Sequence, residues 1–219
     1  MTTINEREVI CPFCGKAVSI VEVMSFSIGE KDSDFFPHYL GANPLPVLVE
    51  TCPNCGYTAF TSDFDKPLTD REKEKIAKTL HSVKTEKELL PSEKYRILAL
   101  IKIALGENAV AVADCYLKAA WCERLENNNE AETRALKKAL SYFELGLKAN
   151  EVKGNEELVI RYLVGELARR TNDAEKAQKF WELLREELTI SEKTDNWLLQ
   201  WVNEGLEKIK KQKENDELL

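Results

Sequence analysis

Four cysteines carry the most specific chemistry legible in this 219-residue chain. They stand as Cys11-Pro12-Phe13-Cys14-Gly15 and Cys52-Pro53-Asn54-Cys55-Gly56. In each unit, two intervening residues let one tight turn aim both sulfurs at a single ion. Pro12 and Pro53 fix one backbone dihedral of the turn. Gly15 and Gly56 can take the positive φ by which the chain leaves it. Two such knuckles supply four thiolates, the donor set of a tetrahedral zinc site. Four protein ligands close the site and leave no position for a substrate or a reactive water. Cys11, Cys14, Cys52 and Cys55 are therefore the predicted metal ligands. Zinc is the expected ion. Iron, which rubredoxins hold with similar knuckles, is the alternative.

Two disulfides would be the competing use of four cysteines. Met1 is followed by polar residues, with no apolar core of a secretion signal and no run long enough to span a bilayer. These features predict a cytoplasmic protein without a membrane segment, where thiols stay reduced. The remaining chemistry is sparse. His38 lies between the knuckles, but four cysteines already fill the site. His81 sits in a charged helical stretch and reads as a surface residue. Cys115 and Cys122 are seven apart on a predicted helix, share a face, and read as small buried hydrophobes. Asp32 and Asp34 flank Ser33 in a loop, where carboxylates more often cap backbone amides than do acid–base chemistry. The chain has no phosphate-binding glycine loop, no G-x-S-x-G elbow and no HExxH helix. No catalytic residue is assigned, and no cofactor other than the metal. The expectation is a protein that is not an enzyme.

Charge narrows the partners. The net charge is -7. Residues 1–66 hold four basic and nine acidic side chains, and the rest of the chain holds 27 basic and 29 acidic ones. Four thiolates around a divalent cation would make the first segment more negative still. Zinc ribbons that bind nucleic acid use Lys and Arg to displace counterions from phosphates, so this composition disfavours a nucleic-acid ribbon. The basic stretch Lys208-Ile209-Lys210-Lys211-Gln212-Lys213 reads as a solvated helix end, where lysines suit the helix dipole.

The elements that must position the cysteines follow from patterning. Ala17–Val23 and Val47–Thr51 are rich in β-branched residues and predict strands next to the knuckles. Between them Lys31–Pro46 carries Phe35, Phe36 and Tyr39, too aromatic for a flexible linker. Thr69-Asp70-Arg71-Glu72 is a capping box that starts a helix. From there the chain reads as seven helices. The breaks fall at Pro91, at Gly106–Asn108, at Asn127–Asn129, at Asn150–Asn155, at Thr171–Asp173 and at Thr189–Thr194. Short connections make consecutive helices antiparallel neighbours. Gly165, Ala177 and Trp181 match the small–Ala–aromatic spacing of a tetratricopeptide pair, and Ala120, Ala139 and Phe143 match it with a longer turn. Trp197 and Trp201 share a face of the last helix and are expected to close the final helix pair.

The expected architecture is mainly α. A small β-containing zinc-ribbon or rubredoxin-like segment occupies 1–66, and a tetratricopeptide-like antiparallel helical domain occupies 67–219. Asp32-Ser33-Asp34-Phe35, Tyr39, Asn43-Pro44-Leu45 and Cys52-Pro53-Asn54-Cys55-Gly56-Tyr57 form a recognisable combination. So do Ala119-Ala120-Trp121, Arg124, Tyr162-Leu163, Glu166-Leu167 and Arg169-Arg170. Together they resemble the uncharacterised bacterial family known as domain of unknown function 2225. That resemblance implies two CxxC knuckles followed by tetratricopeptide-like helices, and it implies no activity. The expected role is a metal-stabilised scaffold whose helices meet a protein or peptide. An iron electron-transfer protein and a nucleic-acid-associated ribbon are the alternatives.

Overall fold

The computed structural model describes residues 2–83, 88–190 and 196–216. The N-terminal part is three two-stranded antiparallel ribbons rather than one sheet. Strands β1 (Thr3–Ile10) and β2 (Ala17–Ser25) pair so that Ile10 faces Ala17, which makes the first knuckle the turn of a hairpin. Val9, Val18 and Ile20 point inward from this ribbon, on the alternate positions a pleated strand allows. Strands β3 (Ile28–Lys31) and β4 (Pro37–Tyr39) form a second ribbon whose connection is Asp32–Phe36. Strands β5 (Val49–Thr51) and β6 (Thr58–Phe60) form the third, with Thr51 opposite Thr58 and the second knuckle as the turn.

The strand expected over Val47–Thr51 is shorter than its sequence suggests. Leu45–Val47 is a 3-10 turn closed by the Val47 amide on the Pro44 carbonyl at 2.9 Å. Pro46 has no N–H to give a ladder, so pairing begins only at Val49.

Seven α-helices follow among the described residues: α1 (Asp70–Ser82), α2 (Pro91–Leu105), α3 (Ala109–Leu125), α4 (Asn129–Lys148), α5 (Asn155–Arg170), α6 (Ala174–Ile190) and α7 (Asn196–Asp216). Their starts have identifiable causes. The capping box at α1 is complete: Thr69 Oγ1 accepts from the Glu72 amide, and Glu72 accepts from the Thr69 amide at 2.8 Å. Pro91 opens α2, and left-handed Gly106 closes it. The side chains of Asn108, Asn128 and Asp173 cap α3, α4 and α6 by accepting amides of their first turns. Of the turn expected at Thr189–Thr194, Thr189 and Ile190 instead continue helix α6, whose ladder runs on past the polar Thr189, and 191–194 lie outside the described residues, as does the side chain of Lys213. Each helix packs on the next, giving an array. Among the described residues no helix is long and apolar enough to cross a membrane.

Two apolar cores result, and each joins N-terminal segments to helices. The larger runs through α2–α7 and takes in Phe36, Leu45 and Val49. The smaller gathers Cys11, Cys52, Val9, Ile20, Tyr57 and Phe64 against Ile76 of α1 and Ile97 and Ile101 of α2. Helix α2 is the wall between them. Ile97 and Ile101, one turn apart, face the small core, while Tyr95, Leu98 and Ala99 face the large one.

The spacing of Gly165, Ala177 and Trp181 has the expected packing cause. Trp181 is fully buried, donates its Nε1 proton to the Tyr162 carbonyl at 3.0 Å, and lies flat against two glycines. A Cβ on Gly165 would sit 2.3 Å from the indole, and one on Gly205 of α7 would sit 2.4 Å from it. Gly205 was not singled out by spacing. Gly165→Ala is expected to cost about 1–3 kcal/mol by overpacking. A urea midpoint that does not move would show that the indole shifts freely.

Candidate metal centre

The two knuckles have one geometry. In each, the glycine amide donates to the first cysteine's carbonyl (Gly15 to Cys11 at 2.9 Å, Gly56 to Cys52 at 2.8 Å). The first cysteine's amide donates to the residue after the glycine (Cys11 to Lys16 at 2.9 Å, Cys52 to Tyr57 at 2.8 Å). Both glycines are left-handed, with φ of 74° and 76°. The hairpins β1–β2 and β5–β6 then bring the turns face to face. Cys11 Sγ lies 3.8 Å from Cys55 Sγ, and Cys14 Sγ lies 3.8 Å from Cys52 Sγ. All four sulfurs lie within 4.8 Å of one another.

These distances discriminate between the uses of four cysteines. A disulfide needs sulfurs about 2.0 Å apart. A tetrahedral ion with metal–sulfur bonds of about 2.3 Å spaces its sulfurs about 3.8 Å apart. The Cys11–Cys55 and Cys14–Cys52 pairs match the second figure. The cluster can therefore hold a metal ion, and a metal there would tie one hairpin to the other.

The surroundings suit thiolates. Nearby backbone amides of Phe13 and Cys14 favour the Cys11 thiolate, and those of Lys16 and Tyr57 favour the thiolates of Cys14 and Cys55. Burial pushes the Cys11 and Cys55 thiols up. Burial also opposes the Cys14 thiolate, but the Lys16 amide and the neighbouring thiols pull that group below its ordinary value. A divalent cation inverts the penalty on the buried thiols, because it supplies the charge that burial withholds. The rings of Phe13 and Tyr57 stack at 6.2 Å beside the cluster, and Phe64 meets Tyr57 edge-on. Cys115 and Cys122 are buried elsewhere, in the large core, and burial raises both thiols to about 12. His38 lies outside the cluster, its Nε2 2.7 Å from Asp32 Oδ1. His81 is exposed.

Sequence reasoning missed a second constellation, at the loop between β3 and β4. Asp34 is fully buried. Arg124 of α3 grips both its oxygens, at 3.2 and 2.5 Å, and Trp121 Nε1 donates to it at 3.1 Å. Arg170 of α5 stands 3.4 Å away. Ser33 donates to buried Glu166 at 2.6 Å, and its carbonyl accepts from Tyr162 Oη at 2.9 Å. Arg169 and Arg170 both bond Glu166. Asp32 takes Arg124 on one oxygen and His38 on the other. Burial alone would raise the Asp34 carboxyl, but Arg124, Arg170 and Trp121 hold it below the usual carboxylate range. Glu166 is held low against burial in the same way, by Arg169, Ser33 and Arg170.

Phe35 completes the junction. Its φ is 64°, an outlier for a bulky residue. Its ring is gripped by Tyr162 at 5.6 Å, Trp201 at 5.4 Å and Trp197 at 6.3 Å. The strained turn is thus held by the array: Trp201 packs on both the loop and Tyr162 of α5, whereas Trp197 stays exposed and meets only Phe35 and Trp201 among the rings. Among the described residues the side chains of Asp32 and Asp34 bond Arg124, Trp121 and His38 rather than backbone amides or the cysteine cluster, and so plug the loop into the helices. The available signal was the set of charged residues inside buried helical faces, Arg124 in α3 and Glu166 in α5.

A family model described as "Uncharacterized protein conserved in bacteria (DUF2225)" matches residues 4–209. The chain belongs to that family. No curated protein and no solved structure matches it.

Proposed function

We propose that this member of the family is an interaction scaffold in which a structural zinc ion, held by Cys11, Cys14, Cys52 and Cys55, clasps two hairpins onto a helical array. One observation carries the reading: four sulfurs converge within 4.8 Å of one another, with Cys11–Cys55 and Cys14–Cys52 each at 3.8 Å. With all four positions taken by protein, the ion would stabilise the fold rather than do chemistry on a substrate. The small core beneath it is too slight to stand alone, which is the usual setting of a structural zinc. We read the helices as tetratricopeptide-like, on the packing of Gly165 against Trp181 and the burial of Ala177, with a protein or peptide as ligand. Six unpaired cysteines fit a reducing compartment, the cytoplasm.

Metal analysis of the protein purified from its native host tests the clasp. The expected result is one zinc per chain and no visible absorbance. A red protein carrying iron would replace the zinc assignment with electron transfer. A metal-free, fully folded protein would remove the clasp altogether.

A further inference from the structure

Helices α2, α3 and α4 line a groove of about 620 Å³ that shares no lining residue with the cysteine cluster or the loop junction. Its apolar lining is Leu100 of α2, Tyr116 of α3, and Ala131 and Ala135 of α4. Its rim is basic. Arg96 stands on α2, and Arg134, Lys137 and Lys138 stand on α4, all of them exposed. The one acidic group lining it is Glu123, buried and already bonded by Asn128 Nδ2 at 3.0 Å. Arg134 pairs with Glu130 on its own helix. Arg96, Lys137 and Lys138 have no salt-bridge partner among the described residues.

Two features set this groove apart. The chain as a whole is acidic, at -7, so a cluster of four cations around one cavity is against the trend. The cations also sit where they cost stability. Arg134 and Lys138 are four apart on α4, and Arg134 and Lys137 three apart, so they repel one another on one helix face. A ligand of opposite charge would relieve that repulsion.

We propose that this groove docks an acidic peptide segment of a partner protein, its carboxylates on Arg96, Lys137 and Lys138 and an apolar side chain on Leu100 and Tyr116. The proposal rests on the reading of the array as an interaction scaffold and names its ligand chemistry. A peptide fits better than a nucleic acid. The apolar floor gives a side chain somewhere to go, and the cations gather at one cavity, three on α4 and one on α2, instead of tracking a phosphate backbone.

The test uses the full-length metal-loaded protein and a fluorescein-labelled peptide of alternating aspartate and leucine. Its counterpart with asparagine for aspartate and a single-stranded oligothymidylate serve as comparisons. The acidic peptide should bind at least about tenfold tighter than the amide version. The affinity should fall as salt rises from about 0.05 M to about 0.5 M. The double variant Lys137→Glu, Lys138→Glu should lose at least about tenfold more, with an unchanged circular dichroism spectrum because both side chains are exposed. The control Lys148→Glu, Lys153→Glu makes the same change in net charge outside the groove lining and should bind like the wild type. Equal loss in both variants, no preference for carboxylate over amide, or tighter binding of the oligonucleotide would overturn the proposal. Affinity capture from the host separates the two levels. A captured partner retained by the Lys137→Glu, Lys138→Glu protein overturns the groove and leaves the scaffold reading standing. A wild-type protein that captures nothing overturns both.

Discussion

Replacing Cys52 with serine should release the metal and unfold the small core while most of the helical array survives. Cys52 is buried between the hairpins, 3.8 Å from Cys14. Structural zinc contributes on the order of 10–16 kcal/mol to the folding of small knuckle peptides, far more than this core could replace. The loss should travel along defined contacts. Ile76 of α1 and Ile97 and Ile101 of α2 pack in the same cluster as the cysteines. Helix α1 should therefore lose protection with the knuckles, and α2 should be stripped on one face. Tyr95, Leu98 and Ala99 remain packed in the large core, and Tyr95 Oη still donates to the Leu45 carbonyl at 2.8 Å. Hydrogen exchange should show fast amides around 9–20, 51–60 and 70–82, with slow amides retained in α3 and α5. Far-UV helicity should fall by little more than the thirteen residues of α1. Loss of all helicity would make the chain one cooperative unit, and no change in exchange would mean the cysteines hold no structural ion.

Arg124→Met should destabilise the protein by about 3–5 kcal/mol, because it leaves the Asp34 carboxylate buried without its main counter-charge. The urea midpoint reports this. Two comparisons isolate the cause. Arg134→Met, which breaks an exposed pair with Glu130, should cost no more than about 1 kcal/mol. Adding Asp34→Asn to Arg124→Met should restore more than half of the loss, since a neutral amide tolerates the site. Equal costs for Arg124 and Arg134 would show that the loop is not held by its charges.

The pH dependence has a fixed sign. Asp34 and Glu166 are held below the ordinary carboxylate range in the fold, so the unfolded chain takes up protons first as pH falls. Their contribution is fully present above about pH 4, the unfolded value, and is lost as pH falls through the lower folded values. In Arg124→Met the burial of Asp34 is no longer offset by that guanidinium, and its carboxyl moves up. Acidification from pH 7 to pH 5 should then shrink the gap between variant and wild type. A gap that stays constant would point to lost packing of Arg124 over the Phe36 ring, 5.3 Å away, as the main cost.

Much of the fold was legible because its signals are local. The knuckles announce themselves through Cys-x-x-Cys spacing and a following glycine. Helix starts follow from Thr69, Pro91, Asn108 and Asn128, whose side chains or rings act within one turn. The spacing of Gly165 and Trp181 works for a similar reason, since their helices are joined by a short turn. Local strand propensity failed at Val47, where Pro46 and the 3-10 turn overrode a β-branched run.

What the chain by itself determined is which residues can ligate a metal and where α1 to α5 begin. Only the tertiary structure decided what the Asp32–Phe35 loop is for. Asp34 meets Arg124 across ninety positions, and Ser33 meets Glu166 across 133. Nothing in the spacing of such residues marks them as partners. Their pairing exists only because three segments are folded onto one another out of water, where an unpaired charge is too costly to keep. The same holds for the basic groove. Arg96 and Lys137 lie on different helices, and packing alone puts them on the rim of one cavity.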